Sequence, residues 1–132
     1  MQYLLLLTYD TTQAPAADDV PAAERLDGVF DDWTAYTRAL HEAGVLVAGA
    51  ALRGVDAATT VRVRQAKRLV SDGPFVETTE HLAGYYIIDV ADLDTAIGWA
   101  AKVPNVRFGS VEIRPLEPGT TIADTLQLAA QA

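Results

Sequence analysis

The chain has no cysteine in its 132 residues, which excludes a disulfide framework, a thiolate metal site and a cysteine nucleophile, and fits a reducing compartment. Positive charge is scarce: 10 Lys and Arg stand against 18 Asp and Glu, for a formal net charge of −8. The average surface therefore repels a polyphosphate backbone, and direct nucleic-acid binding is not expected. No window reaches the roughly 18 to 20 consecutive apolar residues of a membrane-crossing helix. The apolar stretch after Met1, QYLLLLTYD, has no basic start, too little length and no cleavage site, so no secretory signal is expected. A cytoplasmic protein with no membrane partner is the resulting expectation. Also missing are a glycine-rich phosphate cradle after a strand, a nucleophile elbow and zinc-ligand spacing, so neither a cofactor nor a metal is expected.

What is present is enough for one folded domain. Half the residues, 50%, are hydrophobic and 21% are charged, a balance that buries a core rather than leaving a disordered chain. Gln2 to Tyr9 reads as a strand whose centre, Leu4 to Leu7, is apolar at every position, a pattern expected where both faces are buried. Ala, Pro, Thr and Asp then dominate Thr11 to Ala23, a loop, with Pro21 placed to open a helix. Leu26, Val29, Phe30, Trp33, Thr37 and Leu40 recur at helical spacing, and Gly44 supplies a left-handed stop.

Val45 to Arg53 returns to a strand of small residues, where Gly49 and its alanines imply something packed close to the backbone. Thr59 to Arg64 and Lys67 to Ser71 form a hairpin around Gln65 and Ala66, residues poorly suited to a primed turn. Gly84 to Val90 is a second continuously apolar strand; Asp92 caps a helix carrying Leu93, Ala96, Ile97 and Ala100, which Pro104 ends. Ser110 to Leu116 alternates, with Val111 and Ile113 on one side and Glu112 and Arg114 on a solvated side.

Without the hairpin the order is strand, helix, strand, strand, helix, strand, the split arrangement of ferredoxin-like α+β domains, in which the two apolar runs occupy the centre of the sheet. Two helices cover one face of such a sheet. The other face needs a cover this chain lacks, so a homodimer with sheets packed face to face as a dimeric α/β barrel is expected, burying about 1,000 Å² or more. The domain is placed at residues 1–116, followed by a tail at 117–132 in which Thr120 to Gln131 form a short docking helix with Ile122, Leu126 and Ala129 facing inward.

The stretch from Val61 carries DGPF at residues 72–75, then Glu77, a GYY strand, DLDTAIGWA and GSVEIRP, in an order and spacing that closely resemble YCII-related proteins of the DGPF type. MQYLLLLTYD, the helix with Trp33 and EAGVLVAGAAL extend the resemblance over residues 1–116. It implies the ferredoxin-like fold and the dimeric barrel. It implies no established reaction; some relatives are linked to extracytoplasmic-function sigma factors, which makes a non-catalytic accessory or regulatory module the alternative to a small-molecule-binding protein or acid–base enzyme. ETTEHLAGYY stands where family members commonly carry ETKEQLGGYY, so His81 occupies a usual glutamine position and Thr79 a usual lysine position.

Candidate chemistry gathers at Asp72, Glu77 and His81. Asp72 opens a turn and is expected to accept backbone N–H bonds just ahead of it, while Pro74 restricts Gly73 to extended or polyproline conformations. One reading is a rigid corner. The other is a pair of carboxylates, Asp72 and Glu77, held close enough for their proton affinities to be driven apart as an acid and a base. His81 serves as a general base on the functional reading and as a polar loop residue on the structural one. In a helical turn, Glu77, Glu80 and His81 would share a face and offer a weak metal site. Tyr9, Tyr86 and Arg114 are candidate ligand contacts: the two phenols bring hydroxyls to central strands, and the guanidinium suits an anion. Tyr85 and Tyr86 must point to opposite faces, one toward the helices and the other toward the dimer cavity.

Overall fold

The computed structural model describes residues 1–10, 29–75, 79–104, 106 and 109–131. Leu26 and the loop from Thr11 to Ala23 lie outside them. In chain order the elements are β1 (Gln2–Asp10), α1 (Val29–Glu42), β2 (Leu46–Ala51), β3 (Thr59–Arg64), β4 (Lys67–Asp72), β5 (Glu80–Asp89), α2 (Leu93–Ala100), β6 (Gly109–Pro115) and α3 (Ile122–Gln131), with a short 3-10 turn at Val55–Ala57 before β3. Four strands form one sheet in the order β2-β5-β1-β6, every pairing antiparallel, and β3 and β4 pair separately as a hairpin. The architecture is α+β and consistent with the ferredoxin-like expectation. The two strands without polar alternation, β1 and β5, hold the centre.

Burial within β1 is not equal on its two sides. Tyr3, Leu5 and Leu7 are buried, while Leu4 and Leu6 between them are half-buried. The buried set joins Tyr36 and Leu40 of α1, Ala96 and Ala100 of α2, and Ile88 of β5 in one core, with Val111 and Ile113 of β6 packed against it. Both helices thus lie on one face of the sheet, stitched together where the Tyr36 hydroxyl donates to the Trp99 carbonyl at 2.9 Å. Burial, with the neighbouring Tyr86 adding to it, pushes the ionisation of Tyr36 well above the ordinary tyrosine range. Trp33 and Trp99 pack on the same core, as their helical spacing implies.

The helix ends follow their capping residues. Gly44 takes a positive φ of 73° and ends α1, with the Val45 N–H donating back to the Leu40 carbonyl at 3.2 Å. Asp92 caps α2, accepting from Thr95 Oγ1 at 2.7 Å and from its N–H at 2.8 Å. These two bonds, the side-chain one foremost, hold the Asp92 carboxyl below the usual carboxylate range. Thr121 and Asp124 exchange side-chain and backbone bonds at the start of α3, a reciprocal cap that explains a helix of only 10 residues.

Four expectations are corrected. Ile122 and Leu126 do not face inward: they are 80% and 65% exposed, and α3 has no buried residue, because among the described residues no apolar surface lies against its stripe. Gln65 and Ala66 both adopt positive φ, 51° and 63°, so the hairpin takes primed geometry despite its residues; the strand twist on either side selects it. Gly73 has φ +102°, not an extended or polyproline value, because without a Cβ the glycine can satisfy the following proline in mirror-image backbone space. β5 begins at Glu80, before the apolar run, and His81 is therefore a strand residue rather than a loop residue.

Candidate functional site

The region of interest sits where β4 hands over to β5. Asp72 is the last residue of β4, paired in register with Thr59 and exposed. Its carboxylate accepts no hydrogen bond from a described residue. The corner is fixed from the other strand: the Gly73 N–H donates to the Ala58 carbonyl at 2.8 Å, and Thr60 Oγ1 donates to the Gly73 carbonyl at 2.8 Å. Beyond Pro74, the Phe75 ring stands 74% exposed with the Arg62 guanidinium 5.4 Å from its centroid, within cation–π range. Glu77 lies outside the described residues.

One extra residue in β5 decides what meets what. Leu7 pairs with Gly84 but Thr8 pairs with Leu82, so Ala83 is looped out of the ladder as a bulge. On the other side of β1 the register to β6 runs without interruption, which assigns the irregularity to β5. Uninterrupted pairing would set Leu82 opposite Tyr9. The bulge puts His81 there instead. The two rings meet edge to face, with centroids 5.4 Å apart and planes at 79°, and His81 Nδ1 lies 3.4 Å from the Tyr9 hydroxyl, at the outer limit of a hydrogen bond. Gly109, opposite Tyr9 on β6, allows this end of the sheet to close: a Cβ there would fall 2.7 Å from the Tyr9 Cα.

His81 also lines a cleft of about 570 Å³. Its walls are Leu52, Val55, Ala57, Ala58, Pro74, Phe75 and Leu82, with Arg53, Glu80 and His81 as the ionisable groups. A cleft mostly apolar, with a few convergent polar groups, is the usual form of a small-molecule site. Of the residues picked out from sequence, the structure brings Tyr9 and His81 together. No hydrogen bond or ion pair joins Asp72 to His81 among the described residues, and no described group of three or more acidic or imidazole side chains is placed to hold a metal.

The remaining two candidates lie elsewhere. Tyr86 is directly opposite the buried Leu5 and faces the helices. Its hydroxyl shares a 2.7 Å hydrogen bond with Thr37 Oγ1, and its ring packs between Trp33 and Tyr36. Gly49 makes room for that ring, since a Cβ at residue 49 would sit 2.7 Å from Tyr86 Cδ1. Tyr85, not Tyr86, faces the other way. Arg114 lies on the face opposite the helices, exposed, with Glu112 of the same strand 3.7 Å away.

Sequence reasoning missed Arg53, Arg62 and the walls from Leu52 to Ala58. Nothing in the spacing of that segment signals a cleft, since it becomes one only when β5 returns beside it. The bulge had a signal in the Ala83-Gly84 step inside an apolar strand, where glycine often marks such an irregularity.

A family model for the YCII-related domain matches residues 1–119. The chain belongs to the YCII-related family. It is also 42% identical over 95 residues to an uncharacterized protein of Rhizobium meliloti (strain 1021), a match covering 70% of this chain and 77% of that protein. The YCII-related match takes in both central strands, the hairpin, the bulged strand and β6, so every residue of the Tyr9–His81 contact and its cleft falls inside it. No helix among the described residues is long and apolar enough to cross a membrane.

Proposed function

We propose that this chain is a small-molecule-binding protein with acid–base capacity, its ligand held in the cleft beside the Asp72 to Phe75 turn. The observation that carries the reading is the meeting of His81 and Tyr9 at that cleft. An imidazole and a phenol in contact offer one group able to give or take a proton and one that donates a hydrogen bond to a developing negative charge. The apolar walls supply binding area and restrict water around the polar pair. Asp72, exposed two residues before the cleft wall at Pro74, is a second proton carrier for a ligand large enough to reach it.

The same proposal includes the assembly. On the face away from the helices, Leu4 pairs with Ile87 and Leu6 with Tyr85, flanked by Ala48 and Ala50 on β2 and by Glu112 and Arg114 on β6. An apolar centre with a charged edge suits a second copy stacked sheet to sheet in a dimeric α/β barrel. Arg114 and Glu112 would then form its rim, where the guanidinium serves the partner rather than the cleft. The accessory reading, in which the chain partners a sigma factor, would use the hairpin as its contact, since Val61, Val63 and Val70 there are 58%, 60% and 60% exposed.

The test is a fragment-library screen by ligand-observed NMR on the native protein, repeated with His81→Gln and Tyr9→Phe. Hits that lose affinity in both variants, with unchanged circular dichroism and melting, support the cleft. Hits indifferent to both substitutions overturn it, and capture of a sigma factor that is equally indifferent to them supports the accessory reading.

A further inference from the structure

The cleft's lining names the kind of molecule it takes. Resting on the reading above, we infer that its ligand is a small aromatic monoanion, with the ring against Phe75 and Pro74 and the anionic group on Arg53. Three observations converge on this.

The first is the state of the cations. Arg53 lines the cleft and Arg62 lies over the Phe75 ring that walls it, and neither forms an ion pair with a described residue. In a chain with a net charge of −8, where acidic residues outnumber basic ones, an arginine lining an apolar cleft is a local positive charge suited to an anion. Its planar fork matches a carboxylate bidentately, which a lysine would not. The second is the ring. Phe75 is 74% exposed and half-buried Pro74 lies beside it, so flat apolar area faces solvent with one cation already above it. Such a surface gains most from another aromatic ring stacked or set edge-on. The third is the polarity of the site from one end to the other. Glu80 and His81 line the cleft along with Arg53, so a dianion would meet a carboxylate while a molecule with one negative end and one neutral ring would not. A volume of about 570 Å³ admits a molecule of this size with space left for water.

The experiment uses the full chain labelled with nitrogen-15 and two probes of the same shape, benzoate and benzamide. Benzoate is expected to shift the amides of residues 52–58 together with those of Phe75, His81 and Leu82, and to bind about tenfold more tightly than benzamide, in line with a charge-assisted contact. Arg53→Gln should bring the two probes to parity by weakening benzoate alone, and added salt should do the same in the native protein. Equal affinities at the cleft, or a preference that survives Arg53→Gln, overturn the anion assignment while leaving the cleft intact. Shifts confined to other residues, or none with either probe, overturn both the assignment and the cleft on which it rests.

Discussion

The two faces of the central sheet are built from the same short list of residues and end in different conditions. Toward the helices, Leu5, Leu7 and Ile88 are 0%, 2% and 0% exposed, and two phenols on this side have hydrogen-bond partners, Tyr86 with Thr37 and Tyr36 with Trp99. On the other face, Leu4, Leu6, Tyr85 and Ile87 are shielded only in part, chiefly by the side chains next to them in the ladder. Strand parity puts alternate leucines of one run, LLLL, into these two environments. The difference teaches that a uniformly apolar strand does not say what lies on each of its faces; here α1 and α2 cover one, and the other stays half-exposed in the protomer.

The comparison can be broken most forcefully by deleting side-chain volume. Ile88→Ala on the helix face should cost about 3 kcal/mol in urea unfolding, because a fully enclosed cavity is left behind. Leu6→Ala should cost about 1 kcal/mol or less in dilute protein, where the half-open site has water to fill the space. Equal losses at the two positions would show that the bare face is enclosed even in the protomer. A charge sharpens the same point. Leu6→Glu should leave the fold intact yet move sedimentation from dimer to monomer, and an unchanged dimer would remove the sheet-to-sheet arrangement.

Smaller effects test the polar pairing of the helix face. Tyr86→Phe leaves the ring between Trp33 and Tyr36 but takes away the bond to Thr37, and should lower stability by about 1 kcal/mol. A spectrophotometric titration should find Tyr36 still protonated when exposed tyrosines have ionised, because burial raises its value. Its contribution to stability is full below the unfolded tyrosine value and is lost only as pH rises toward the folded one. Asp92 works in the opposite sense: its lowered value makes the cap effective at neutral pH, and the benefit should fade as pH falls below the ordinary carboxylate range. Asp92→Ala should flatten that acid limb of the stability curve. The least effect is expected in the hairpin, where Ala66→Gly should relieve a positive φ and gain about 0.5 kcal/mol, read as slower amide exchange along β3 and β4.

The order of elements and the centre of the sheet were legible because they rest on local signals: unbroken apolar runs at Leu4 and Gly84, a helical stripe through Trp33, Thr37 and Leu40, Gly44 as a stop and Asp92 as a cap. What could not be read depended on counts and facing. Parity separates Tyr85 from Tyr86 but does not say which of them meets the helices; Leu5, as the cross-strand neighbour of Tyr86, settles that. The candidate site was legible in its region and not in its membership. His81 was singled out because histidine is rare here, whereas its partnership with Tyr9 depends on long-range register, and Arg53 draws its meaning from neighbours far away in the chain.

The looped-out Ala83 makes this partnership a matter of arithmetic as well as chemistry. Removing that one residue would leave Thr8 opposite Leu82 and Tyr9 opposite His81 in an unbroken ladder, whereas drawing it into the ladder would present a leucine to the phenol and turn the imidazole toward the opposite side of the sheet. Among related chains, then, length between the central glycine and the histidine is the quantity to compare first, because the encounter stands only where an extra residue there is matched by a bulge.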